Sequence, residues 1–175
     1  ILYNNMLQSL FKSQILTIGT VLLLLLFMFL ILFRSIVISI IALFPNIMSI
    51  SLVLGFMGWV SIPLDMMTIT IAAISMGIAV DNTIHYIYRF RSEVFKDFNY
   101  VKAMQRTHKS IGYAMYYTSI TIIVGFSILI FSNFIPSIYF GLLTGLAMFF
   151  ALLASLTLLP QLLIVFKPYG IVRKN

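Results

Sequence analysis

The 175-residue sequence lacks cysteine altogether and contains only four carboxylates and two histidines. The absence of thiols excludes disulfides and thiolate metal sites, and so few carboxylates and histidines leave little material for a hydrolytic metal centre. Charged residues make up 9% of the chain, whereas a soluble domain carries roughly a quarter. With a mean hydropathy of +1.11, this scarcity excludes a soluble globular domain, a disordered tail and a nucleic-acid-binding module. What remains is an integral membrane protein.

Long uncharged runs are abundant, and a membrane-crossing helix needs about 20 mostly apolar residues. Residues 110–166 are uncharged over 57 positions, which is too long for one helix at about 1.5 Å per residue. The Asn-Phe-Ile-Pro-Ser sequence at 133–137 supplies the turn that divides this run. The sequence therefore predicts an all-α integral membrane fold, a bundle of five transmembrane helices at residues 13–33, 36–60, 66–88, 112–132 and 138–166.

The basic residues are distributed unevenly between the two ends of these spans. Ten of the eleven lysines and arginines fall in the first turn, the loop after the third span and the tail, and Lys12 alone falls on the other side. The positive-inside rule then places the N-terminus outside and the C-terminus in the cytoplasm. Apolar residues at helical spacing among the basic ones predict a cytoplasmic interfacial helix at 93–109, followed later by a basic cytoplasmic tail at 167–175.

An outside N-terminus and a chain that opens Ile-Leu-Tyr lead us to expect a piece of a larger polytopic protein. Residues 1–12 are then the end of an external region or an extension of the first helix.

Asp81 is the one carboxylate within the predicted spans. It lies about 22 Å from the outer end of the third span at the helical rise. An aspartate at the centre of a membrane helix costs roughly 2.5–3.5 kcal/mol on insertion scales, so we expect it to face other helices or a wet cavity. Desolvation disfavours the ionised form and so favours proton loading. We interpret Asp81 as a proton-carrying group, with a carboxyl that merely hydrogen-bonds helices together as the alternative.

Residues three and four positions from Asp81 share its helix face. Gly77 removes a side chain one turn away, which permits close helix approach or water entry. His85 lies one turn nearer the cytoplasm and is a candidate for passing protons to that side, an ordinary interfacial histidine being the alternative. Asn82 points about 100° away and is a candidate for a second interface and for a supporting member of the relay.

The fourth and fifth spans offer further candidates. Thr118 and Thr121 are possible supporting members of the relay, although such hydroxyls often bond the carbonyl four residues back in their own helix. Small residues let membrane helices approach closely. We therefore expect the third, fourth and fifth spans to pack around Gly77, Gly125, Gly141 and Gly145.

The run GIAVDNTIHY at 77–86, followed by RFRSE at 89–93, closely resembles the central-helix motif of the resistance–nodulation–division (RND) superfamily. The likeness is strongest to its branch of mycobacterial-membrane-protein-large (MMPL) and Patched-like proteins. It continues with PN at 45–46, IPLD at 62–65, TSIT at 118–121 and LP at 159–160, and it covers nearly the whole chain. One departure is Asn82, where many relatives have a tyrosine or a second aspartate.

The resemblance implies the five-helix part of a six-helix repeat, the C-terminal one, with the N-terminal repeat and an external porter domain as partners in the same protein. It implies a secondary active transporter rather than an enzyme, a proton-motive-force-driven exporter of hydrophobic or amphipathic, lipid-like substrates with Asp81 as the proton relay. The coupling ion is the proton, with sodium as the alternative, and no cofactor is expected. The resemblance implies a multi-pass protein in the lipid bilayer of a bacterial cytoplasmic (inner) membrane. It is also compatible with a homo-oligomer.

Two other functions fit the same residues. The five-helix unit is called a sterol-sensing domain in eukaryotic members, which suggests a lipid-sensing or regulatory membrane module without pumping. An accessory component of Sec-type protein export is a related alternative. Titration of Asp81 coupled to substrate movement favours a pump, whereas lipid binding indifferent to Asp81 favours a sensor. The sequence has no Gly-x-x-x-x-Gly-Lys-Ser/Thr loop, so an ATP-driven pump needs a separate subunit.

Overall fold

Seven α-helices make up most of the computed structural model, which describes residues 2–62 and 66–170. They are α1 (Leu2–Phe33), α2 (Ile36–Trp59), α3 (Met66–Asp97), α4 (Tyr100–Thr107), α5 (Tyr113–Ser127), α6 (Ile135–Leu153) and α7 (Leu159–Phe166). Turns of π-helix at His108–Gly112 and Ala154–Leu158 join α4 to α5 and α6 to α7. Each of these pairs therefore forms one continuous helical rod.

Four helical stretches among the described residues are long and apolar enough to cross a membrane: Lys12–Phe33, Ile36–Trp59, Tyr100–Phe131 and Ile135–Phe166. The predicted third span lies in α3, a helix of 32 residues that also carries Asp81 and a charged C-terminal end. The prediction of an all-α multi-pass membrane protein is confirmed. Residues 63–65, between the second and third predicted spans, and residues 171–175 of the predicted tail lie outside the described residues, and with them Asp65, Arg173 and Lys174.

The main difference from the predicted boundaries is at the end of α3. This helix continues past Tyr88 to Asp97, and the chain reverses at Phe98, which has a φ of 49°. Asn99 then caps α4 by accepting a hydrogen bond from the Lys102 amide at 3.0 Å. The interfacial helix predicted at 93–109 is therefore not one helix: its first residues end α3, and the remainder forms α4 and the start of the following π-helical turn.

Prolines decide two further features. Pro136 lies in the first turn of α6, which begins at Ile135 rather than at the predicted residue 138. A first-turn proline costs no hydrogen bond, because the amides there have no partner within the helix. Pro160 has no N–H to give to the carbonyl of Leu156, and the helix widens just before it, with the Leu159 amide donating to the carbonyl of Ala154.

The bundle is arranged around α6, which contacts α2, α3 and α5, while α1 packs on α2 and α3. Buried apolar side chains fill the space between them, notably Phe29, Tyr86 and Phe90 toward the predicted cytoplasmic end and Leu143 with Met57 farther along. Because α1 and α5 flank the bundle, they leave long rows of apolar side chains exposed. One face of α3 is also left open, and it is the face that carries Asp81.

Candidate functional site on the open face of α3

Asp81 and His85 lie one helical turn apart on the same face of α3, as their spacing predicts. The two side chains meet, with 3.3 Å between His85 Nε2 and Asp81 Oδ1. The Asp81 side chain is 73% exposed and the His85 side chain is 63% exposed, so no other described helix covers them. A protonated imidazole and a carboxylate at this distance form an ion pair, and the two groups are close enough for proton exchange after a small movement of either side chain.

Gly77 extends this open face by one more turn. A methyl group placed on it would meet no atom within 4 Å. We call Gly77, Asp81 and His85 together the open face of α3. The prediction that the third, fourth and fifth spans pack around Gly77 is therefore wrong for the described chain, because no other helix lies within 4 Å of the added methyl group.

Within the described ranges, no three side chains of metal-binding type gather where they could hold a metal ion.

Asn82 lies on a different face from Asp81. It is 8% exposed, and its neighbour Thr83 is fully buried, donating from Oγ1 to the Ala79 carbonyl at 3.2 Å. The roughly 100° rotation between successive helix residues explains the contrast. The expectation that Asn82 points away from Asp81 agrees with this placement, and its amide belongs to the interior of the bundle.

Thr118 and Thr121 lie on α5 and are exposed. The Thr118 hydroxyl is 3.0 Å from the Ala114 carbonyl, and the Thr121 hydroxyl is 2.9 Å from the Tyr117 carbonyl. These are the back-bonds within the helix that were the alternative to a relay role. Within the described part of the chain neither threonine hydroxyl bonds to Asp81, so their supporting role stays a prediction.

The glycines of α5 and α6 differ in their surroundings. A Cβ on Gly141 would lie 2.5 Å from the Phe126 carbonyl oxygen and 2.8 Å from Leu129 Cβ, so only glycine fits at this crossing of α6 with the end of α5. Gly145 is one turn further along and has the Ile123 side chain at 4.0 Å. Gly125 has nothing within 4 Å, so the packing predicted around it is also absent from the described chain.

Sequence reasoning missed a second carboxylate centre at the end of α3. Glu93 is 1% exposed and pairs with three cations: Arg89 at 3.0 Å, Lys96 at 2.7 Å and Arg106 Nε at 2.7 Å. The Arg106 guanidinium also donates to the Glu93 carbonyl at 3.0 Å. The spacing of Arg89 and Lys96 from Glu93, four and three residues, was a readable helix signal. Arg106 was not, because it arrives from α4.

Arg106 forms a second, two-pronged pair with Asp97, with Nη1 3.0 Å from Oδ2 and Nη2 2.8 Å from Oδ1. The hydrogen bond from Lys96 is the main cause that holds the pKa of Glu93 below its ordinary value, and burial opposes it. The Arg106 hydrogen bond likewise lowers the pKa of Asp97. We call Glu93, Asp97 and Arg106 the ion-pair cluster. It ties α4 to the end of α3.

Comparison with known sequences identifies the family to which the chain belongs. The sequence model of the MMPL family matches residues 2–174. A protein of Methanocaldococcus jannaschii, named as a membrane protein, is 32% identical over 133 residues, which cover 76% of this chain and 34% of that protein. A hopanoid transporter of Burkholderia multivorans is 33% identical over 112 residues, covering 61% of this chain and 12% of the transporter.

An apo-petrobactin exporter of Bacillus anthracis is 28% identical over 121 residues, covering 67% of this chain and 16% of the exporter. The chain thus spans about a third or less of the length of the curated relatives it matches. The family match extends over nearly all of the residues, from α1 through the open face to α7. The chain belongs to the MMPL family.

Proposed function

We propose that this chain is the membrane domain of an exporter of hydrophobic or amphipathic, lipid-like substrates, driven by the proton-motive force, with Asp81 as the proton-relay residue. Membership of the MMPL family supports a transporter, and two of its relatives are named as a hopanoid transporter and an apo-petrobactin exporter. Its proposed location is the bacterial cytoplasmic membrane. The proton is the proposed coupling ion, with sodium as the alternative.

The observation that carries this proposal is the exposure of Asp81 in the middle of a long membrane helix. Its side chain is 73% exposed, and among the described residues its ion-pair partner is His85. A carboxylate facing lipid at this depth costs several kcal/mol. A second membrane repeat therefore covers the open face in the intact protein and supplies a wet or polar surface opposite Asp81.

The two protonation states of Asp81 then favour different arrangements of the two repeats. Protonated Asp81 tolerates close contact with apolar side chains, whereas ionised Asp81 requires water, His85 or a donor from the other repeat. Proton loading and release thus shift the population between two packings, and alternating access requires such a shift. Gly77 leaves room beside Asp81 for a partner helix to approach or withdraw.

The test is Asp81→Asn in the intact protein. We expect unchanged expression and folding, and loss of substrate export driven by an imposed pH gradient in vesicles. Asp81→Glu should keep a small part of the activity, because the carboxyl survives but moves by one methylene. Asp97→Asn is the matched control, since it makes the same chemical change on the same helix within the ion-pair cluster.

Normal gradient-driven export by Asp81→Asn would refute the relay. The lipid-sensing alternative makes a different prediction: lipid binding by the intact protein would not depend on Asp81, and no gradient-driven substrate movement would be measured for the wild-type protein. If a sodium gradient drives export and a proton gradient does not, the coupling ion is sodium rather than the proton.

A further inference from the structure

A groove runs along the junction of the rod α4–α5 with the rod α6–α7, on both sides of His108. It consists of two open cavities of about 410 and 460 Å³ that share His108, Lys109 and Leu156. We call this surface the His108 groove. Each cavity falls in the range of roughly 300–1,000 Å³ that ligand pockets occupy. None of the residues of the open face of α3 lines this groove, and the proposed transport step does not use it.

The His108 ring lines both cavities, and contacts with backbone carbonyls hold it in place. Pro160 lacks an N–H, so the carbonyl of Leu156 has no donor at the usual helical position. His108 Nε2 takes that position at 2.9 Å. The other ring nitrogen, Nδ1, lies 3.2 Å from the Tyr86 hydroxyl and 3.0 Å from the Met104 carbonyl. The imidazole thus joins α3, α4 and the second π-helical turn, and it fixes the shape of the groove.

Lys109 gives the groove an uncompensated positive charge. The three carboxylates in the described part of the chain are all engaged elsewhere: Asp81 with His85, and Glu93 and Asp97 with other cations. No ion pair of Lys109 is found among the described residues, and its side chain is exposed. An anionic ligand is therefore the complementary occupant of this end of the groove.

The wall beyond Lys109 is aromatic. Tyr113, Tyr116 and Tyr117 line the first cavity. They are 64%, 49% and 66% exposed, and spacings of three and four residues from Tyr113 place them along one side of α5. They follow Lys109 along the chain toward the interior of the predicted fourth span. Tyrosines are enriched where a membrane helix crosses from headgroups to hydrocarbon, because the ring is apolar and the hydroxyl is polar. On the other side of His108, Gln105 and Gln161 add amide groups to the second cavity.

We propose that the His108 groove binds an anionic phospholipid from the leaflet at the basic end of the bundle. The headgroup phosphate lies against Lys109, the amides of Gln105 and Gln161 face the polar part of the headgroup, and an acyl chain follows the tyrosine wall. Amides, a cation and an aromatic wall follow one another in this order along the groove, which matches the polarity gradient of such a lipid. This proposal does not depend on Asp81 acting as a proton relay.

The experiment uses lipid quenchers in vesicles that contain the intact protein with any cysteines outside this chain replaced. This chain contains no cysteine, so Ala114→Cys, an exposed position on α5 beside the tyrosine wall, accepts a single fluorophore. Brominated phosphatidylglycerol and brominated phosphatidylcholine are each titrated over the same range of mole fractions in a phosphatidylcholine background. We expect the anionic lipid to quench the label at a several-fold lower mole fraction than the zwitterionic lipid does.

Lys109→Gln should reduce this preference about fivefold, the effect of one lysine near a charged surface, and Lys109→Arg should preserve it. Lys102→Gln is the matched control, because Lys102 is exposed on α4 but does not line the groove. Three results would each overturn the proposal. Both lipids could quench equally, the preference could be unchanged in Lys109→Gln, or neither lipid could quench because another protein surface covers the groove. Displacement by millimolar inorganic phosphate would likewise overturn it, since the site would then bind a free anion.

Discussion

Asp81 and Glu93 are carboxylates on one helix, about 18 Å apart along α3 at the helical rise, and their surroundings are opposite. Asp81 is exposed and meets one histidine. Glu93 is buried and meets three cations, one of them from another helix. A carboxylate that is fully paired within its own chain stabilises the fold. One left open can instead change its protonation state and its partner, and this difference separates the structural end of α3 from the proposed functional middle.

The largest effect that tests this comparison is loss of stability at Glu93. Glu93→Gln should destabilise the protein by about 2–3 kcal/mol, in the range for hydrogen bonds to a charged group, because Arg89, Lys96 and Arg106 lose the negative charge they share, while Asp97 and the Glu93 carbonyl still hold Arg106. Asp81→Asn in the same assay should change stability by less than about 0.5 kcal/mol, as exposed substitutions do. Thermal unfolding of the two variants in the same detergent measures both, and equal losses would contradict the comparison.

The same variant has a pH signature with a defined sign. The cations, first of all Lys96, hold the pKa of Glu93 below its ordinary value in the folded protein. The stabilisation from this group is therefore complete above the pKa of an unfolded glutamate, about 4.3, and is lost as the pH falls through the lower folded value. The stability gap between wild type and Glu93→Gln should stay constant from neutral pH to about pH 5 and close only below that.

A smaller effect separates a packed glycine from an open one. Gly141→Ala should cost about 2 kcal/mol, in the range for overpacking, because its Cβ would meet the Phe126 carbonyl oxygen at 2.5 Å. Gly77→Ala should cost nothing within this chain and should gain up to about 1 kcal/mol of helix propensity. If Gly77→Ala impairs export while leaving unfolding temperature unchanged, the glycine is needed by whatever covers the open face. Equal destabilisation by both variants would show that Gly77 is packed after all.

The smallest effects are expected from two cysteine substitutions that report on which side of the membrane the ion-pair cluster lies. Ser92→Cys lies next to Glu93, and Ser61→Cys follows α2 at the other end of the bundle; both positions are exposed. An impermeant thiol reagent added to intact cells should label Ser61→Cys and spare Ser92→Cys, because the positive-inside rule predicts a cytoplasmic location for the basic loop. Neither change should alter stability or export. Labelling of Ser92→Cys from outside would invert the topology.

Local sequence signals were sufficient for much of this architecture. The proximity of His85 to Asp81 followed from a four-residue spacing, which fixes neighbours on any helix. The close approach at Gly141 followed from its small side chain in an apolar run. The end of α3 was misjudged, since hydropathy falls at Arg89 but helical hydrogen bonds continue to Asp97. Hydropathy reports where a chain prefers lipid, and a helix can continue beyond that point.

The sequence by itself determined that the chain is an all-α membrane protein of apolar helices, with a basic end and a single carboxylate in the middle of its spans. It did so because membrane burial imposes a composition that few charges can violate. Only the tertiary structure decided that Arg106 reaches back to Glu93, that His108 bonds the carbonyl left free before Pro160, and that Asp81 lies on a face no described helix covers. Each depends on how separate helices cross, and the crossing is set by side-chain packing over the whole bundle rather than by any local pattern.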